Sequence, residues 1–284
     1  MIYLDDPTLG RVDIRPLPEG IVPTQLTIGF PEVAEVIYPK ALANGVDDRS
    51  RYLRQRAITL SVRLDQRLFS TQSLLDRVLP FMDPKYRPRL VYSLAENPIP
   101  TEVRAFRIRG VDAPFILDGP KYQALVMQWV TADHRAKSLQ TKCELVRPGG
   151  EGEEGRTYNL EHDRVYPASL PSGAKIITNK GNTGADWIGT IVAGIQNPTL
   201  DINGVRIEFP GLNLIAPTFI EIDTEARTIF RNGDPTDSIY GVSNFADWEW
   251  EDLLLNPGDN IIRYQGDEPT VDTSTTICWQ DSFL

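Results

Sequence analysis

The sequence predicts a mainly β protein of two domains: a small β-barrel or curved sheet that carries one α-helix, followed by a β-sandwich. Three observations support this prediction. The 22 prolines and 21 glycines among 284 residues favour many short elements joined by turns. After residue 176, strand-like segments recur at intervals of about ten residues, a spacing typical of sandwiches. The charge also changes sign between the two halves, which indicates domains in different surroundings.

The two halves of the chain differ in charge more than the net value of −10 shows. Residues 1–150 hold 21 Lys and Arg against 17 Asp and Glu, giving +4, whereas residues 151–284 hold 8 against 22, giving −14. An acidic surface repels phosphates, so the second half is not expected to bind nucleic acid. The sequence has neither an apolar run that could cross a membrane nor a secretory N-terminal pattern, so no membrane association is expected.

The first 50 residues are rich in proline and weak in periodicity, which predicts an arm with two short strands, one of them at 25–30. Four arginines follow closely, Arg49, Arg51, Arg54 and Arg56. Two interpretations of them stay open. They form a solvated loop or strand edge, as charge runs usually do, or they contact a neighbouring subunit, since arginine is enriched at interfaces.

The rest of the first half alternates strand and helix signals. Apolar residues at every second position predict a half-buried strand over 57–65. Ser70 is a candidate N-cap ahead of apolar residues at helical spacing, which predicts one helix over 70–81. Further strands of this domain are predicted at 90–94, 102–111 and 122–132.

A run of glycine and glutamate at 148–155 has no periodicity and predicts an exposed loop or linker. An extended connector is expected to follow it, and we place the domain boundary so that the domains span 1–165 and 166–284. The strands predicted for the second domain lie at 176–179, 187–193, 199–202, 205–209, 218–222, 227–231, 247–251, 261–264 and 275–279.

Two turns mark the second domain. Asn203-Gly204 separates two strand-like segments and accepts the positive φ angles of a type I′ hairpin. Asn256-Pro257-Gly258-Asp259 has Pro and Gly at its centre, which supply the fixed φ and then the positive φ of a type II turn. Both turns predict that the flanking strands lie antiparallel.

No motif for catalysis, metal binding or cofactor binding is present. The only histidines, His134 and His162, have no second His or Cys at metal-ligand spacing, and no nucleophile elbow or phosphate-binding glycine loop occurs. The chain is therefore expected to be no enzyme and to hold no cofactor or metal. Cys143 and Cys278 are expected to be reduced, buried thiols, because two cysteines cannot make a disulfide scaffold.

The tryptophans offer a binding alternative. Trp248 and Trp250 lie on the same face of the strand predicted at 247–251. Flat aromatic rings stack on sugars, so both are candidate glycan contacts, with membership of the core as the competing interpretation. Trp279, in an apolar strand, is expected in the core.

Carboxylates leave a further alternative open. A glycosidase needs only two acids a few ångströms apart, and a sequence does not show that distance. The acids that could form such a pair are Asp163, Asp186, Glu221, Asp223, Glu249, Glu251 and Asp252.

Several segments of the second half keep the order and spacing of a known family. They are Ile-Thr-Asn-Lys-Gly-Asn-Thr-Gly-Ala-Asp at 177–186, Asn197-Pro198, Ile222-Asp223-Thr224 with Arg227-Thr228-Ile229, Leu-Asn-Pro-Gly-Asp-Asn at 255–260, and Trp279 near the end. In this pattern the chain resembles the siphophage distal tail proteins, also called minor tail or tail-hub proteins. The helix among strands in the first half, and the connector from Gly155 to Pro167, are similar to that family as well.

The resemblance implies a tail-tube-like, ring-forming β-barrel domain and a galectin-like β-sandwich domain. It implies a structural virion protein, made in the host cytoplasm, at the baseplate hub of the tail tip. The subunits would form a homohexameric ring that connects the tail tube to the host-recognition apparatus and leaves a channel for DNA, which passes without sequence-specific binding. The implied partners are the chain itself, the tail tube protein, the tail-tip hub protein and the tape measure protein.

Two alternatives to this structural role come from the residues themselves. The first is a carbohydrate-binding module or lectin that contacts the host cell wall through Trp248 and Trp250. The second is a tail-associated cell-wall hydrolase that uses a pair of the carboxylates. Neither alternative requires a cofactor.

Overall fold

A computed structural model of the chain describes residues 1–16, 18–31, 33–39, 46–53, 55–65, 70–93, 104–118, 122–131, 133–148, 173–192, 194–244, 247–270 and 272–284. The chain divides into two compact units, Met1–Leu139 with Leu284 and Gln140–Phe283. Residues 140–148, which the sequence places in the first domain, therefore belong to the second unit.

The first unit is mainly β, as predicted. Its elements are β1 Ile2–Asp6, β2 Gly10–Asp13, β3 Ile21–Ile28, β4 Val33–Pro39, β5 Val46–Leu53, β6 Ala57–Asp65, α1 Thr71–Val78, a 3-10 helix Leu79–Met82, β7 Arg89–Tyr92, β8 Arg104–Asp112, β9 Phe115–Asp118, β10 Tyr122–Thr131 and β11 Ala136–Ser138. The main sheet has the order β2-β1-β7-β8-β10-β6-β3, with β9 paired to β10 and β11 to β8. Strands β4 and β5 form a separate pair.

The first domain is predicted to be a small β-barrel or a curved sheet, and its described strands do not close into a barrel. Their order ends at β2 on one side and β3 on the other, so the sheet is open. The strand predicted at 25–30 of the proline-rich arm overlaps β3, and β1, β2 and β3 all belong to this sheet. Proline is tolerated there because β3 is an edge strand and its register shifts between Pro23 and Gln25.

The core of the first unit follows the predicted periodicities. Strand β6 buries an apolar side chain at every second position from Ile58 to Leu64, and the neighbouring β10 buries Leu125, Met127 and Trp129. The predicted helix is confirmed as α1: the Ser70 hydroxyl accepts a hydrogen bond from the Ser73 backbone N–H at 3.2 Å, which caps it. Within the described ranges, no helix is long and apolar enough to cross a membrane.

Strands are the main elements of the described part of the second unit. Its elements are β12 Lys142–Val146, β13 Ala174–Asn179, β14 Trp187–Val192, β15 Ile195–Ile202, β16 Val205–Glu208, β17 Asn213–Leu214, β18 Phe219–Asp223, β19 Thr228–Arg231, 3-10 helices Tyr240–Val242 and Trp250–Leu253, β20 Gly258–Asp267, β21 Thr275–Trp279 and β22 Ser282–Phe283. Strand β12 pairs with β21, which is why the second unit begins before residue 166.

Two five-stranded antiparallel sheets enclose the core of the second unit. The front sheet has the order β12-β21-β14-β18-β19, and the back sheet has the order β13-β20-β15-β16 with β17 paired to β15. Side chains from both sheets, such as Ile191 and Ile277 of the front and Leu200 and Ile262 of the back, belong to one cluster. The predicted core position of Trp279 is confirmed.

The predicted turns are present. Asn203 and Gly204 connect β15 to β16 with φ angles of 54° and 94°, the positive pair that a type I′ hairpin requires. Gly258 has a φ of 91°, as predicted for the third position of a type II turn.

The strand predicted at 247–251 is wrong. Residues Trp250–Leu253 form a 3-10 helix instead, and the Glu249 and Asp252 side chains each accept a hydrogen bond from the other residue's backbone N–H. The alternation of Trp and Glu imitates a strand, but the carboxylates satisfy the free N–H groups of a helical turn.

The expectation of two reduced, buried thiols is also wrong. Cys143 and Cys278 form a disulfide with a Cα–Cα distance of 4.1 Å. The two residues are direct partners in the pairing of β12 with β21. They are 135 residues apart in the chain, so only the strand register brings them together.

Candidate functional site

Most of the carboxylates considered for hydrolysis have structural partners. Asp223 accepts hydrogen bonds from the backbone N–H groups of Glu225 and Ala226, both at 2.9 Å. Glu251 pairs with Arg227, and Asp163 lies outside the described residues. Among the residues that the structure describes, no three His, Cys, Asp or Glu side chains are grouped so that they could hold a metal ion.

The structure separates the four arginines named from the sequence. Arg49 and Arg51 lie in β5, where Arg51 is opposite Glu35 of β4. The side chains of these two residues, and Arg54 altogether, lie outside the described residues. Their role as a subunit contact stays a prediction.

Arg56, in contrast, is buried in its own unit with 6% of its surface exposed. Its Nε donates to the His134 carbonyl at 2.5 Å, and its guanidinium lies 5.6 Å from the centre of the Phe106 ring. Its Nη2 is buried and has no hydrogen-bond partner among the described residues. Burial lowers the pKa of the guanidinium, and the nearby Tyr92 and Asp133 partly oppose this. The solvated interpretation therefore does not hold for Arg56.

The two candidate tryptophans belong to an aromatic cluster with Tyr240. Trp248 is buried and donates from Nε1 to Asn244 Oδ1 at 3.1 Å. Its ring meets the edge of Trp250 at 5.3 Å and 83°. Trp250 and Tyr240 are both half-buried and stack at 5.7 Å with 14° between their planes.

Trp250 and Tyr240, rather than Trp248, are therefore the rings with exposed surface. Tyr240 is not predicted from the sequence, because it precedes Trp250 by ten positions and no periodicity relates the two residues. A glycan contact in this cluster stays a prediction.

The segment at 177–186, which carries part of the family resemblance, is organised by the fully buried Asn179. Its Nδ2 donates to the carbonyls of Thr183 at 2.8 Å and Leu255 at 3.0 Å, while its Oδ1 accepts from the N–H of Gly181 at 2.9 Å. A Cβ at Gly181 would lie 1.7 Å from the Ser282 carbonyl oxygen, so only glycine fits there.

The segment at 255–260 is organised in the same way by Asn260, which is also fully buried. Its Nδ2 donates to the carbonyls of Asn256 at 2.9 Å and Gly258 at 3.0 Å. Its Oδ1 accepts from the Asn256 backbone N–H and from Asn203 Nδ2, both at 2.7 Å. The buried asparagine of each segment thus determines the local fold.

Comparison with known proteins gives matches among solved structures only, since neither a protein-family model nor a curated protein matches the chain. The crystal structure of the Dit protein of phage SPP1, described as a paradigm of the hub adsorption apparatus in phages that infect Gram-positive bacteria, matches with a TM-score of 0.61. The match covers 100% of both chains at 11% identity.

The baseplate of phage P2 in its activated conformation, solved with Ca and with Sr, matches 98% of this chain and 97% of that chain. Its TM-score of 0.41 at 10% identity is too low to support a conclusion. At 11% identity the SPP1 match shows the fold alone. The chain has the mainly β fold of the SPP1 Dit protein, in agreement with its resemblance to the distal tail proteins, while the galectin-like character that this resemblance implies stays a prediction.

Proposed function

We propose that this chain is a structural subunit of a siphophage tail tip, a distal tail protein of the baseplate hub, and not an enzyme. The observation that carries the proposal is the end-to-end match to SPP1 Dit, which covers all of both chains. The segments of sequence resemblance add support, because Asn179 and Asn260 within them organise the fold rather than a reactive site.

In this proposal the subunits form a hexameric ring around a channel through which DNA passes. The first unit makes the ring contacts and meets the tail tube protein, and the second, galectin-like unit faces outward toward the tail-tip hub protein and the host-recognition apparatus. The charge of −14 in residues 151–284 supports the outward position, since like charges keep such units apart and soluble. The tape measure protein is the expected partner inside the tail.

Ring formation tests this proposal. The purified full chain is expected to elute as an oligomer with the mass of six subunits in size-exclusion chromatography with light scattering, and to show rings in negative-stain images. A protein that stays monomeric at high concentration, and forms no ring when mixed with the tail tube protein, would overturn the proposal.

The arginine segment is tested in the same assay. Changing Arg49, Arg51 and Arg54 to Glu is expected to shift the ring toward monomer, because interface arginines lose their acceptors when the charge is reversed. The matched control changes three arginines elsewhere in the first unit to Glu: Arg87, Arg107 and Arg109. Equal loss of rings in both variants would remove the specific role of residues 49–54.

A second candidate function, contact with a glycan, is favoured by the stacked pair of Tyr240 and Trp250. Parallel, half-exposed rings offer a surface for the apolar face of a sugar. The full chain is expected to sediment with purified host cell wall, and Trp250→Ala is expected to reduce the bound fraction. Phe30→Ala, which removes an exposed ring in the first unit, is the control. Cell-wall binding that Trp250→Ala leaves unchanged contradicts this candidate.

A further inference from the structure

The front sheet of the second unit has an unusually apolar outer face. The strand registers place its outward side chains in three rows across the sheet. From β12 to β19 the first row contains Leu145, Thr276, Thr190, Glu221 and Phe230, and the second row contains Cys143, Cys278, Ile188, Asp223 and Thr228. The third row contains Val192 of β14 and Phe219 of β18. Most outward positions of a sheet that faces water are polar, so this face departs from the usual alternation.

Three large aliphatic side chains on this face are well exposed. Leu145 is 46% exposed, Ile188 45% and Val192 39%. The disulfide adds its sulfur atoms to the same surface, directly beside Ile188 in the second row. Exposed apolar side chains that lie next to one another mark interaction sites more often than isolated ones do.

The charged side chains that lie on this face within the five strands are acidic. Within the five strands, the outward-facing charged residues are Glu221 and Asp223, both on β18. Asp223 caps the following turn, and Glu221 has no ion-pair partner among the described residues. Arg147 lies just beyond the end of β12, at the opposite margin of the face.

The back sheet supplies an internal comparison. Its outer face also has two exposed isoleucines, Ile176 at 44% and Ile261 at 37%, which are direct partners in the pairing of β13 with β20. Their neighbours along these strands are polar: Thr178 donates to Asp259 at 2.7 Å on one side. The back sheet therefore has an isolated apolar pair, whereas the front sheet has an extended apolar face beside two carboxylates.

The dimensions of the front face favour a small occupant. Five strands span about 19 Å, and the distance from Ile188 to Val192 along β14 is about 13 Å, which gives roughly 250 Å². A standard protein interface covers about 800 Å² on each partner. A short peptide segment matches this area better than a globular domain does.

We propose that the outer face of the front sheet binds a short basic segment of a partner protein, with aliphatic side chains over Leu145, Ile188 and Val192 and a lysine or arginine beside Glu221 and Asp223. Charge selects this occupant over a second copy of the same unit, because two copies would bring together surfaces that each carry part of a −14 charge. The inference does not depend on the proposed role in a phage tail.

Binding of matched synthetic peptides to the full chain tests the proposal. One short, fluorescently labelled peptide has leucine and valine flanked by lysines, and its counterpart has glutamates in place of the lysines. Fluorescence anisotropy is expected to show binding of the lysine peptide only. Ile188→Asp is expected to weaken this binding about tenfold, because a charge replaces a central apolar contact. Glu221→Gln is expected to weaken it less and to reduce its sensitivity to salt.

Ile176→Asp on the back sheet is the matched control, since its side chain is as exposed as that of Ile188; it is expected to change binding less than twofold. Val192→Thr, which suits a strand and keeps the shape of valine, replaces Ile188→Asp if that variant does not fold. No binding of the lysine peptide, equal binding of the glutamate peptide, or an equal effect of Ile176→Asp would overturn the proposal. Self-association that Ile188→Asp abolishes would assign the face to a second copy and overturn it too.

Discussion

Asn260 in the second unit and Arg56 in the first are both buried polar side chains, yet their surroundings differ. Each polar atom of the Asn260 side chain has hydrogen-bond partners, four in total. Arg56 is larger and charged, but its Nη2 has no hydrogen-bond partner in the part of the chain that the structure describes, and burial lowers the pKa of its guanidinium. A buried polar group stabilises a fold only when its hydrogen bonds replace those it made with water.

The hydrogen bonding of these two side chains indicates that Asn260 helps to determine its local fold, whereas Arg56 is buried without a comparable set of hydrogen bonds among the described residues. Asn260 connects the turn at 256–260 to the hairpin turn at Asn203, so it fixes two loops at once. The Arg56 side chain donates a hydrogen bond to one carbonyl, that of His134. We therefore expect the second unit to depend strongly on a few polar and covalent links, and the first unit to tolerate the loss of its buried charge.

The largest effect is expected for the covalent link of the second unit. Replacing both Cys143 and Cys278 with Ser removes a cross-link that closes a loop of more than 100 residues, and it should lower the free energy of unfolding by about 4 kcal/mol. Urea unfolding measures this. The chain has no other cysteine, so a reducing agent should destabilise the natural protein and leave the double variant unchanged. An unfolding curve that does not respond to reductant contradicts the prediction.

The next effect is expected for Asn260→Ala, which removes the four hydrogen bonds of a fully buried side chain and detaches the turn at 256–260 from Asn203. The free energy of unfolding should fall by about 3 kcal/mol. Asn213→Ala in β17 is the control, because its side chain is exposed, and it should change stability by no more than about 0.5 kcal/mol. Equal effects of the two variants would show that burial of the asparagine is not what matters.

A smaller effect is expected for Arg56→Met, which keeps an unbranched side chain and removes the charge. The loss of one hydrogen bond and the gain from avoiding a buried charge offset each other, so stability should change by less than about 1 kcal/mol. Leu60→Ala, in the neighbouring β6 core, should cost about 3 kcal/mol and shows that the assay detects damage to this unit. A loss of that size for Arg56→Met would mean that the guanidinium stabilises the first unit.

The smallest effect at neutral pH is expected for Tyr264→Phe. The Tyr264 hydroxyl is buried and has no hydrogen-bond partner within the described ranges, and burial raises the pKa of the phenol well above its ordinary value. Removing this hydroxyl should leave stability unchanged or raise it by up to about 1 kcal/mol.

The pH dependence sharpens this test. Below the ordinary phenol pKa of about 10, both the folded and the unfolded chain keep the phenol proton. Tyr264 therefore does not affect how the free energy of unfolding changes with pH in that range. Above that pKa the unfolded chain loses the proton while the folded chain retains it, and stability falls as pH rises. Tyr264→Phe should reduce this fall in chemical unfolding between neutral and alkaline pH. An identical slope in both proteins would contradict the pKa direction.

Local patterns predicted the parts of the fold that depend on neighbouring residues. The strand bounds of β6 and β21, the helix begun by Ser70 and the turn at Asn203-Gly204 are each determined by side chains within a few positions of one another. The wrong strand at 247–251 shows the limit of this reasoning, since the same alternation suited a capped helical turn.

Features formed by strands that lie far apart in the chain could not be predicted from the sequence. The disulfide depends on the register of β12 with β21. The apolar front face joins Leu145, Ile188 and Val192 from two strands that are not adjacent in the chain, and the pairing of Trp250 with Tyr240 depends on two separate helical turns. No periodicity links such residues, and the composition of each strand alone is unremarkable.

The disulfide also decides how the second unit would respond to mechanical force. Cys143 lies three residues after the start of the unit, and Cys278 lies five residues before its end. Tension applied at the two ends would pass through the covalent bond between them and bypass the strands in between. With the bond intact, a pulling experiment should extend only the short terminal segments, whereas after reduction the whole sandwich would bear the load and unravel.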